Sequence, residues 1–306
     1  MGGRFFMKQV KPFLSFEDQI ERLRSHGCNV EDSSFAQVVL SRINYYRFSA
    51  YFLPFKGKDG KYREGTSFNS VFRIYEFDRK LRVILFAAVA RIEVFLRTQF
   101  AHYHAEQYGP LGYLSDTAFR IKGHDHTRFM QKINDEIRNN AKVPFVQHHI
   151  QNYNSQFPLW VIIELFTFGM LSRFYADLHT KDQKILAKSL FGLNPKTFAS
   201  WLHCCTDLRN NCAHHDRLYF RIFPSFPAGL SELEIQDRQR MFGMLLVLKE
   251  LYPDKAGWNR EVFGLIQSLL IEYQPDIKLT HIGFPQNWEE MLTLSGDKNL
   301  NVSIHP

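Results

Sequence analysis

Cysteine is scarce in this chain: four in 306 residues, Cys28, Cys204, Cys205 and Cys212. They form no spaced disulfide framework, which points to a reducing compartment. Glycine (17) and proline (12) are too few for a collagenous or linker-like chain. Long hydrophobic runs are missing as well. Residues 83–90 and 159–163 are the best apolar stretches, and both are short and flanked by charge, so no membrane span is expected. Residues 1–10 carry Arg4 and Lys8 without an apolar leader core, and Phe6 stands where a myristoylated chain would have Ser or Thr. The expectation is a soluble, cytoplasmic protein with no membrane partner.

Aromatic residues are abundant: 29 Phe, 13 Tyr and 4 Trp in a chain that is 45% apolar. That is enough apolar surface for a packed core, which excludes a wholly disordered chain. The length suits one large domain or two unequal ones. The net charge of +7 is localised. Residues 1–100 hold 17 Lys and Arg against 10 Asp and Glu, whereas residues 101–306 hold 21 of each. Cations and aromatics alternate from Tyr45, Tyr46, Arg47 and Phe48 to Lys56, Lys58, Lys61, Tyr62 and Arg63. Two readings of this stretch stand. It is an RNA-binding surface with Arg47, Lys56, Lys58, Lys61 and Arg63 on phosphates, or a solvated basic face above an aromatic core.

The periodicity is helical almost throughout, so the fold class is mainly α. Ser15 and Asp18 form a capping box for a first helix that Gly27 ends. Further helices are expected over residues 34–53 (stopped by Pro54), 119–140, 160–178, 181–190, 197 to beyond 217, 231–252 and 259–274. A short one is expected near Trp288. Residues 56–67 read as a hairpin or loop. Val71, Ile74, Phe77, Leu81, Leu85, Ala88, Ile92 and Phe95 sustain a three–four spacing over residues 69–108, which predicts one long helix or two nearly continuous ones. Three domains follow: a basic N-terminal helical region (1–68), a helical core (69–223) and a C-terminal helical extension (224–306).

The segment that carries chemistry is Leu-Arg-Asn-Asn-Cys-Ala-His-His-Asp-Arg-Leu, from Leu208 to Leu218. Metal-free RNA cleavage needs a base for the 2′-OH proton, an acid for the leaving 5′-oxygen and positive charge for the phosphorane. Histidine serves as base or acid near neutrality, and arginine forks onto phosphate oxygens. His214 and Arg209 fill those roles, and Asn210 can hydrogen-bond its neighbours and hold them. Arg209 and His214 are five apart, about 140° around a helix, so they do not share a face. A composite site is therefore expected. Either a symmetric homodimer apposes two copies of this motif, or Arg97 and His102, which repeat the same spacing, supply the second half. Glu93 lies four residues before Arg97, the favoured order for a helical salt bridge. His215 and Arg217 are supporting candidates. So is Glu164, whose apolar surroundings predict a buried carboxylate paired with Arg209 or a core tyrosine. An ordinary polar helix end with His214 and His215 as C-terminal caps is a rival reading. Zinc is another, but Cys204, Cys205, Cys212, His214 and His215 lack a ligand spacing, and buried structural thiols fit better. No metal and no cofactor are expected. His124, His126, His148 and His149 read as surface loop residues.

The bare Arg-x4-His spacing carries little, because the chain holds 21 Arg and 13 His and shows it twice. The surrounding letters carry more. Arg-Asn-x-x-Ala-His-His-x-Arg-Leu after Trp201 resembles the Abi-like family of phage abortive-infection proteins (the AbiD/AbiF group), and its Arg-x4-His resembles the motif of the HEPN superfamily. K-P-F-L-S-F-E-D-Q-I at residues 11–20, N-Y-Y-R-F-S-A-Y-F-L-P-F at 44–55, P-L-W-V-I-I-E-L-F-T-F-G at 158–169 and I-G-F-P-Q-N-W at 282–288 are similar to further family motifs, in the same order. The resemblance implies a HEPN-type helical bundle and a metal-independent endoribonuclease in antiphage defence. The alternative it implies is a non-catalytic RNA-binding or toxin–antitoxin-like protein acting with a cognate non-coding RNA. One departure is Tyr219-Phe220, which stand where the family has Trp-Asn, so an asparagine contact to RNA is absent there.

Overall fold

The computed structural model describes Val10 and residues 12–294, and it is helical with no strand among them. The chain divides into two compact units, one running up to Asp78 together with Tyr273–Ile277, the other comprising Arg79–Glu272 and the residues from Lys278 onward.

In the first unit, α1 (Phe16–Ser25) opens on the Ser15–Asp18 capping box expected from the sequence. Helix α2 covers Ser33–Arg42. The single helix expected over 34–53 is broken here. Ile43 is extended, and Asn44 caps a short α3 (Tyr45–Ser49) by accepting the Tyr46 N–H at 2.8 Å. Asparagine competes for backbone donors and favours such a restart. A 3-10 turn, Ala50–Phe55, follows with Pro54 inside it rather than after it. Residues 56–67 make a tight loop held by one antiparallel bridge between Lys56 and Tyr62. The core is aromatic, with Phe48, Tyr51, Phe52, Phe68 and Phe77 fully buried. The Tyr51 hydroxyl donates to buried Asp78 at 2.6 Å.

Helix α4 is one unbroken helix, Phe68–Tyr108, as the long periodicity predicts. After it the chain runs through α5 (His126–Asn139), α6 (Pro144–Asn152), α7 (Leu159–Ile162), α8 (Phe168–Asp177), α9 (Thr180–Phe191) and α10 (Pro195–Ala213). Helix α10 packs against α8 and α9, and against α12 (Met241–Leu251), which lies beyond the short α11 (Ile235–Arg238). Helix α12 is buried on nearly every face, and Gly243 allows it: a Cβ there would stand 2.1 Å from the Arg238 carbonyl oxygen. Then α13 (Lys255–Trp258) passes through a π turn, Asn259–Phe263, into α14 (Gly264–Tyr273), and α15 (Trp288–Leu292) closes the described chain.

Four further expected helices differ from those observed. Residues 119–125 are not helical: Gly123 has φ +88° and Asp125 caps α5, so the helix starts at His126. The run expected over 160–178 breaks at Phe166, and Thr167 caps α8 through the Met170 N–H. Residues 231–234 lie outside any helix, and α11 and α12 are separate. Helix α10 stops at Ala213, four residues before Arg217.

Candidate active site

The turn after α10 sets the site. His214 is the C-cap, and His215 adopts the left-handed conformation, φ +58°. The Asp216 N–H donates to the Asn211 carbonyl (2.8 Å) and the His215 N–H to that of Cys212 (3.2 Å), which is the Schellman closure of a helix. Glycine usually takes that left-handed position, so His215 is strained by about 1 kcal/mol. The turn is tied down by buried Arg82 of α4, whose Nη1 donates to the Asp216 carbonyl at 3.1 Å. The His214 N–H donates to the Asn210 carbonyl at 2.9 Å, so His214 stays in the helical path about 7.5 Å along the axis from Arg209.

Arg209 is half-buried and its Nε is shielded from solvent without a hydrogen-bond partner. It forms no ion pair among the described residues. His214, His215 and Asn210 are exposed, and Arg217 is half-buried beyond the turn. The Asn210 side chain makes no hydrogen bond among the described residues, so only its carbonyl holds His214. The amide that braces the helix is that of buried Asn211, whose Nδ2 donates to the Asp207 carbonyl at 2.6 Å. Cys204, Cys205 and Cys212 are buried and in no disulfide among the described residues. Burial pushes the Cys204 thiol up to about 12 and that of Cys205 well above its ordinary value.

The second Arg–His pair sits differently. The Arg97 side chain is only 17% exposed; its Nη2 reaches Glu93 at 2.5 Å and the Phe166 carbonyl at 2.7 Å, and its Nη1 reaches Glu164 at 3.4 Å. The break before α8 frees that Phe166 carbonyl, and Arg97 takes it. Glu164 is therefore not the buried partner of Arg209 that the sequence suggests. A 3-10 turn, Ile163–Leu165, swings it outward to 52% exposure beside Arg97. Arg97, His102, Trp160 and Glu164 line a groove of about 530 Å³.

Helices α4 and α10 run antiparallel. Phe100 meets Phe198 (centroids 6.3 Å apart) and Arg82 meets Asp216, eighteen residues away on each chain segment. On that register His102 lies about 27 Å along the axis from the level of His214. Within one chain the two Arg–His pairs stand apart.

In the first unit Arg47, Lys56, Lys58, Lys61 and Arg63 are all exposed. The aromatics interleaved with them are mostly core: Phe48, Tyr51 and Phe52 are buried, while Tyr46 is 88% exposed. The basic face lies over an aromatic core.

Sequence reasoning missed one polar cluster. His124 is no surface residue: it stacks on Phe119 (4.4 Å) and its Nδ1 lies 3.0 Å from buried Asp177, which also accepts from Arg173 Nε at 2.9 Å. His124 Nε2 lies 3.1 Å from His126 Nδ1, and His126 Nε2 donates to the Leu114 carbonyl at 2.9 Å. Gly123 and the cap residue Asp125 beside them were the available signal. His148 and His149 lie on α6 rather than in a loop, His148 exposed and His149 half-buried.

Residues 38–220 match the family model described as Abi-like protein, and the chain belongs to that family. The matched span takes in the motifs at 44–55, 158–169 and 208–218, while those at 11–20 and 282–288 lie outside it. No curated protein and no solved structure matches the chain. Among the described residues no helix is long and apolar enough to cross a membrane.

Proposed function

We propose that this Abi-like chain is a metal-independent endoribonuclease of abortive-infection antiphage defence, with a HEPN-type helical core. The observation that carries the reading is Arg209, a half-buried guanidinium with no carboxylate partner among the described residues, five residues before an exposed histidine at a helix end. A partly desolvated cation without an anion is costly, and an incoming phosphate relieves that cost while being held. His214 accepts the 2′-OH proton, the 2′-oxygen bonds to phosphorus, and the bond to the 5′-oxygen breaks as a second histidine returns a proton. The products are a 2′,3′-cyclic phosphate and a 5′-OH. Asn210, with its side chain unengaged, hydrogen-bonds substrate, and His215 and Arg217 add donors across the turn.

The second histidine comes from a partner copy in a symmetric homodimer. The offset of about 27 Å and the engagement of Arg97 by Glu93, Glu164 and Phe166 argue against Arg97–His102 in that role. Arg47, Lys56, Lys58, Lys61 and Arg63 recruit RNA by phosphate contacts. The exposed basic face also favours a second reading, a non-catalytic protein that holds a cognate non-coding RNA. Purified protein incubated with RNA in excess EDTA separates the two. The nuclease reading expects cleavage with cyclic-phosphate and 5′-OH ends, and no cleavage under any condition leaves the RNA-binding reading. Mixing wild-type with His214→Ala chains tests the dimer: activity falls with the square of the wild-type fraction if two histidines are needed, and in direct proportion if one suffices.

A further inference from the structure

The first unit contains a groove of about 720 Å³ between α1, α2 and α3, within the size range of ligand pockets. Its chemistry is one-sided. Arg22 and Arg42 line it, no carboxylate does, and neither arginine forms an ion pair among the described residues. The acids of α1 are occupied: Glu21 pairs with Arg24 at 2.7 Å, Asp18 serves the Ser15 capping box, and Glu17 accepts from Gln37. Two rings at the groove stand almost fully in solvent, Phe13 at 91% and Tyr46 at 88% exposure, and Tyr45 is half-buried against Arg22. Gln19 donates its Nε2 to the Leu14 carbonyl at 3.0 Å, which leaves Oε1 shielded and without a partner at the groove wall.

We infer that this groove binds the bases of single-stranded RNA. Exposed rings beside carboxylate-free arginines offer stacking faces next to phosphate contacts, the combination by which single strands are held without base pairing. A base amino group would satisfy the unpaired Gln19 acceptor. A duplex, whose bases are already stacked, has no use for Phe13 and Tyr46. The surface differs from the Lys56–Arg63 loop, where the cations have no exposed ring among them. The inference rests on the RNA reading above and adds where bases, rather than phosphates, are gripped.

Fluorescence anisotropy of the full chain with a labelled oligocytidylate, whose bases carry the amino group, and with a duplex of equal length tests it. Tyr46 and Arg42 are exposed, so Tyr46→Ala and Arg42→Gln leave the core intact. Tyr46→Ala is expected to weaken single-strand binding roughly tenfold with an unchanged salt slope and to leave duplex binding alone. Arg42→Gln is expected to lower the single-strand salt slope by about 0.7. Wild-type single-strand affinity in both variants, or an equal loss for the duplex in Tyr46→Ala, overturns the groove while the RNA reading stands. A wild-type chain that binds neither RNA overturns both.

Discussion

The two Arg-x4-His pairs of this chain share a spacing and differ in everything that surrounds them. Arg97 lies mid-helix with Glu93, Glu164 and a main-chain carbonyl on its guanidinium, so its charge is neutralised and its geometry fixed. Arg209 lies one turn from a helix end with a shielded Nε and, among the described residues, no carboxylate partner, and its histidine is the exposed cap. The spacing alone is therefore uninformative. What separates a structural arginine from one that can receive phosphate is whether the fold has already supplied the anion.

The widest separation between the pairs is expected in activity. His214→Ala should lower the cleavage rate by about 10²–10⁴-fold, the range for loss of a general acid–base group, while His102→Ala cleaves at the wild-type rate. Single-turnover RNA cleavage reads both, and the opposite pattern would move the chemistry to the α4 groove.

A smaller effect reaches stability through pH near the Arg97–His102 pair. His104, two residues beyond His102, is fully buried among Tyr108, Phe119 and Phe174 with neither ring nitrogen bonded. Burial pushes its imidazole down to about 4. The unfolded chain takes up the proton near 6.5, so the native state keeps its full stability above that pH and loses it as pH falls from 6.5 towards 4. The loss is at most roughly 3 kcal/mol. Chemical denaturation at pH 7 and pH 5 should show the fall in wild type and not in His104→Leu. An unchanged slope in the variant would assign the acid sensitivity elsewhere.

The smallest effect belongs to the turn that follows the Arg209–His214 pair. His215→Gly relieves the left-handed strain but adds freedom to the unfolded chain, for a net gain of about 0.5 kcal/mol, whereas β-branched His215→Val costs about 1 kcal/mol or more. Thermal melts of the two variants should move in opposite directions.

Much of this comparison was legible in the sequence, because its elements are local. The Ser15–Asp18 box, the long α4 and the Arg209–His214 segment all depend on residues within a few positions of each other. The breaks at Asn44, Gly123 and Thr167 were harder to see, since apolar periodicity continues across them while a single polar side chain or a glycine restarts the helix. Tertiary partners were not legible. Glu164 sits in an apolar run that predicts burial, yet the 3-10 turn points it to solvent, and the Phe166 carbonyl that holds Arg97 is exposed to it only by that break. Likewise His215 gives no glycine signal for the turn it makes.

The central claim, that one arginine is structural and the other receives phosphate, is tested most directly by replacing each with alanine and measuring melting temperature and RNA cleavage on the same preparations. Arg97→Ala removes the partner of half-buried Glu93 and of the Phe166 carbonyl, and should lose about 2 kcal/mol of stability while still cleaving RNA below its melting temperature. Arg209→Ala breaks no ion pair among the described residues and should melt within about 0.5 kcal/mol of wild type with cleavage abolished. An Arg209→Ala protein that melts early and still cleaves, beside a stable and inactive Arg97→Ala, would contradict the account.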